Sequence, residues 1–78
     1  MKKLYLFLHI PAQPIISGAV EEWHELATID DCYTALMNDI VEQFRLGDIK
    51  RGLKDKRQLI IVTATNHEEA LATAKTKI

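Results

Sequence analysis

Apolar residues cluster in three stretches of the chain, and the spacing within each predicts an element. The last stretch, residues 57–78, is the one around which the others are organised. Leu59, Ile60, Ile61 and Val62 are four consecutive apolar residues, three of them β-branched, as in a strand packed on both faces. Thr65 or Asn66 can cap the helix that follows, because a side-chain oxygen there accepts from a free first-turn amide. Glu68 and Glu69 then lie at the positive end of the helix dipole. Ala70, Leu71, Ala74 and Ile78 recur at helical spacing, which predicts a face folded back on the strand.

The first stretch, residues 3–10, alternates Leu4, Leu6, Leu8 and Ile10 with Tyr5, Phe7 and His9 and stops at Pro11, so it predicts a strand apolar on both faces. The middle stretch, residues 28–46, predicts a helix. Thr28 with Asp31 has the spacing of a helix start, Ile29, Cys32, Tyr33, Leu36, Met37, Ile40, Val41 and Phe44 form a wide apolar stripe, and Gly47 supplies a stop. A stripe that wide must be covered on more than one side, by the sheet and by the second helix or another molecule.

Between these stretches lie a loop at 11–18 with two prolines and a glycine, an ambiguous segment at 19–27 and a basic connection at 48–56 with room for a short helical turn near Ile49 and Leu53. In 19–27 the apolar positions 19, 20, 23, 26 and 27 have helical periodicity. A third strand is favoured because a two-stranded ribbon is only marginally stable, and the glutamates at 21, 22 and 25 suit an edge. The expected fold is α+β in the order ββαβα, a small three-stranded sheet with two helices on one face. The alternative is βααβα, with 19–27 helical. Helices on one face leave the other face apolar and open, which predicts a homodimer or a protein partner.

Composition fits one domain spanning residues 1–78: 47% of residues are hydrophobic and 27% charged, as in ordinary globular proteins. The formal net charge of −1 conceals a dipolar chain. Residues 4–44 carry seven acids and no Lys or Arg, whereas residues 45–57 carry six cations against two acids. Cys32 is the single cysteine, so no intrachain disulfide can form and a cytoplasmic setting is expected. Lys2, Lys3 and the apolar run after them have some features of a secretory leader, but the run is short and interrupted by His9, Pro11 and Pro14. No stretch is long enough to span a membrane.

The chemical signals are sparse. His9, His24 and His67 share no metal-ligand spacing, and Cys32, placed on an apolar stripe, reads as a core or boundary residue. The pairs Asp30/Asp31 and Glu68/Glu69 occupy expected first turns of helices, where the dipole alone accounts for them. Neither a phosphate-binding glycine loop nor a nucleophile elbow occurs. No catalysis, cofactor or metal is expected. Two surfaces remain. Glu21, Glu22, Glu25, Asp30 and Asp31, with Trp23 among them, form an acidic segment suited to a basic protein partner, including one whose nucleic-acid site it covers. Lys50, Arg51, Lys54, Lys56 and Arg57 form a basic run suited to phosphates, although it lacks aromatic residues for stacking bases. The favoured expectation is a small regulator or inhibitor acting through the acidic surface, and the alternative is nucleic-acid binding through the basic run.

Overall fold

The computed structural model describes residues 1–12, 20–50 and 57–78, with the helical backbone alone at 49 and 50. The elements follow in the order β1 (Lys3–Ile10), β2 (Glu22–Asp30), α1 (Thr34–Lys50), β3 (Gln58–Ala64) and α2 (His67–Lys75). The fold is α+β, ββαβα, with an antiparallel sheet of order β2-β1-β3. Of the ambiguous segment, residues 22–27 lie in a strand, as preferred over the helix, and residue 19 lies outside the described residues.

The two helices lie on opposite faces of the sheet, which corrects the expectation of a shared face. The cause is in β1. Leu4 and Leu6 pack with Met37 and Val41 of α1, while Tyr5 and Phe7, pointing the other way, pack with Ala70 and Ala74 of α2. β3 divides the same way, with Ile60, Val62 and Ala64 toward α2 and Leu59 and Ile61 toward α1. A central strand apolar on both pleat faces needs a cover on each, and one helix serves each. Ala70 and Ala74 are fully buried, and their small size lets α2 approach the large Tyr5 and Phe7 rings, which stack with centroids 6.2 Å apart. Among the described residues each sheet face therefore has a helix packed on it.

β2 carries a bulge. Leu6 pairs with Ala27 but Phe7 pairs with Glu25, which leaves Leu26 as the extra residue. Leu26 and Ala27 both pack on the α1 side, whereas Trp23, before the bulge, packs on the α2 side. This change of phase is why the apolar positions of 19–27 imitate a helix.

The ends of α1 also depart from expectation. Thr28 lies within β2, opposite Tyr5, and its hydroxyl donates to Glu25 Oε1 at 2.9 Å, so it caps nothing. The chain turns at Asp31 and Cys32, Tyr33 N donates to Asp30 O at 3.1 Å, and Tyr33 O accepts the first helical bond from Met37 N at 3.0 Å. The first turn of α1 contains no acidic residue, and Cys32 is exposed in the turn and outside the core. The helix continues through Gly47 to Lys50, since an interior glycine costs only about 1 kcal/mol relative to alanine.

α2 is capped as its sequence implies. Asn66 Oδ1 accepts from Glu69 N at 2.8 Å, and Glu69 Oε2 accepts in return from Thr65 N at 3.1 Å and from the Thr65 hydroxyl. Ile78, expected on the buried face, lies beyond the helix end and is 55% exposed. Among the described residues no helix is long and apolar enough to cross a membrane.

Candidate functional site: an acidic sheet edge

β2 forms one edge of the sheet, and most of its charged side chains reach solvent. Glu21, Glu22, Glu25, Asp30 and Asp31 are all exposed, along the strand and in the turn after it. Lys3 is the cation paired across the ladder, opposite Asp30. The segment is thus an acidic rim with Lys3 across the ladder from its last strand residue.

Two of the acids are held by histidines on the α2 side. His9, 6% exposed, donates from Nε2 to Glu21 Oε2 at 2.8 Å, and His67 donates from Nδ1 to Glu25 Oε1 at 3.2 Å. On the α1 side His24 approaches Glu22 to 4.0 Å. The His9 hydrogen bond holds the Glu21 carboxyl below its ordinary range, with smaller lowering contributions from the Trp23 indole and Lys75, against partial desolvation. Glu69 is lowered as well, first by its hydrogen bonds to Thr65.

Trp23 is half-buried, with its ring tilted over His9 at 4.4 Å and edge-on to Phe7 at 6.4 Å. Its Nε1 is buried with no partner in hydrogen-bonding geometry, so its effect on Glu21 is that of a nearby dipole. Trp23 covers the end of its own core and holds His9 in line with Glu21. Of the residues in the acidic segment it is the one turned inward.

Two further residues, which periodicity assigns to the core, are exposed at the start of the helix that follows β2. Tyr33 is 53% and Leu36 49% exposed, although both lie in the α1 stripe. Only Met37 and Val41 of that stripe are buried, and Ile40 and Phe44 are half-buried. The width of the stripe was the available signal. With α2 on the far side of the sheet, nothing else in the described chain covers its outer part. An exposed aromatic and an exposed leucine therefore follow directly after Asp30 and Asp31.

Most of the basic run falls outside what the structure describes. Arg51, Lys54 and Lys56 lie outside the described residues, Lys50 ends α1, and Arg57 is half-buried before β3. No group of three or more His, Cys, Asp or Glu is arranged to hold a metal ion among the described residues. Comparison with protein-family models, with curated proteins and with solved structures returns no match.

Proposed function

We propose that this protein is a small non-catalytic interaction module that regulates or inhibits a larger, basic protein by docking its acidic β2 edge on that protein. The observation that carries this reading is the surface itself. Exposed acids line an outer strand, and the exposed side chains of Tyr33 and Leu36 follow the last of them along the chain. Acids speed encounter with a cationic surface, and a rim of charge around a small apolar anchor is the usual anatomy of a protein interface. One such partner is a nucleic-acid-binding protein, whose phosphate-binding site is an extended cationic surface that the acidic edge could cover. Trp23 stays within the proposed surface as the residue that supports Glu21. A homodimer remains part of the proposal, on grounds other than an open sheet face.

The test is capture of host proteins on the tagged chain, with nuclease present, followed by the wild-type comparison with Glu22→Lys/Asp30→Lys and with Leu36→Lys. The expected result is a basic protein that is released by salt, lost with either variant, and blocked by the chain from retaining nucleic acid. Capture that is indifferent to both variants refutes the reading, as does recovery of nucleic acid in place of protein when nuclease is omitted.

A further inference from the structure

We infer that the open edge of β3 binds a second copy of this chain, β3 against β3 in antiparallel, so that two three-stranded sheets become one of six strands. This rests on the homodimer in the reading above and is independent of the acidic surface.

Among the described residues the order β2-β1-β3 leaves two outer edges, and they differ sharply. β2 is defended: it carries Glu22, Glu25 and Asp30 and is bent by the bulge at Leu26, both devices that discourage pairing. Two copies meeting along β2 would also bring their acids face to face. β3, with sequence QLIIVTA, carries no charge, and its register with β1 is unbroken from Ala64, opposite Lys3, to Gln58, opposite His9. An uncharged, regular edge strand of this length is a template for another strand.

Lys77 shows where the template faces. Its Nζ donates to Ile61 O at 3.1 Å, so that carbonyl is available to a side chain from beyond the ladder. Antiparallel pairing alternates, hence Leu59 and Thr63 present their backbone groups outward with Ile61, while Ile60 and Val62 bond to β1. A two-fold axis at Ile61 places it opposite its own counterpart and sets Leu59 opposite Thr63 of the second copy. The contact is self-complementary, as a closed dimer requires. It also lays the second strand alongside Leu59 and Ile61, which α1 leaves half-buried. Lys77 is a cation seated on this edge, and it must release Ile61 O for the dimer to close.

The experiment is sedimentation equilibrium of the full chain from micromolar to millimolar concentration, with amide hydrogen exchange measured at both ends of that range. The expected result is a reversible dimer in which the amides of Leu59, Ile61 and Thr63 exchange more slowly while those of β2 do not change. Thr63→Pro removes an N–H that the alternation turns away from β1, and should weaken the dimer by about tenfold or more, equivalent to about 1.4 kcal/mol. Lys77→Ala should tighten it several-fold. Thr63→Lys, at an exposed side chain, serves if the proline variant is not folded by circular dichroism. A monomer at every concentration overturns the inference, as does a dimer that protects the β2 amides or is indifferent to the Thr63 substitutions.

Discussion

Met37→Ala and Leu36→Ala, neighbours on one helix, should differ severalfold in cost, because α1 turns one inward and the other outward. Met37 is 1% exposed and packs with Leu4 and Leu6, so truncating it removes buried volume and leaves a cavity, at about 2–5 kcal/mol. Leu36 is 49% exposed, so about half of the ~1.5–3 kcal/mol for full burial is at stake, or roughly 1 kcal/mol. The gain in helix propensity on changing to alanine reduces both figures slightly. For 78 residues a total stability of about 4–12 kcal/mol is expected, so the first change threatens the fold and the second does not. Urea unfolding followed by the fluorescence of Trp23, the single tryptophan, measures both. With a slope near about 1 kcal/mol/M the midpoint should fall by about 2 M or more for Met37→Ala and by about 1 M or less for Leu36→Ala. Equal shifts, or the larger one at Leu36, would refute the division of α1 into a packed side and an exposed side. The proposed docking surface would lose its apolar anchor with it.

Two other measurements test the stabilising features of the fold. Asn66→Ala removes the acceptor for Glu69 N at the start of α2 and should cost about 1 kcal/mol, which lowers the melting temperature of a domain this size by about 4–8 °C. An unchanged melting temperature would show that the cap contributes nothing. Glu21 and Glu69 are held below their ordinary value of 4.5 in the folded chain, so each binds its proton less readily when folded than when unfolded. Their contribution is therefore complete above the ordinary carboxylate range and is lost as pH falls below it. Glu21→Gln/Glu69→Gln should destabilise the chain at pH 7 and flatten the acid limb of its stability curve below 4.5, and a curve parallel to that of the wild type would contradict this.

Much of the fold was legible where the alternation of side chains was undisturbed. β1 runs from Lys3 to Ile10 as its pattern implied, and Asn66, Glu68 and Glu69 marked the start of α2 through local chemistry alone. Legibility failed where a tertiary feature changed the local rule. The bulge at Leu26 broke the period of β2, and Thr28 with Asp31 imitated a helix start while Thr28 was paired in a strand. The placement of the helices depended on a point visible in β1 but not carried through: Tyr5 and Phe7 need a cover as much as Leu4 and Leu6 do. The acids of the candidate site were legible as charges. The exposure of Tyr33 and Leu36 was not, because periodicity locates a stripe without saying how much of it a single sheet can cover.

The central strand of the sheet is also the first to be synthesised. β1 can pair with β2 as soon as Asp30 has left the ribosome, but its other edge waits for Gln58–Ala64, and the Tyr5/Phe7 side waits longer still for His67–Lys75. Between the emergence of Asp30 and that of Gln58–Ala64 the nascent chain therefore displays a two-stranded ribbon with an aromatic face and a bare inner edge, a form prone to associate with its neighbours. The acids of β2 lie along the outer edge of that ribbon from the start. Besides the docking proposed for them, they give the unfinished chain a charged border while its centre is still open.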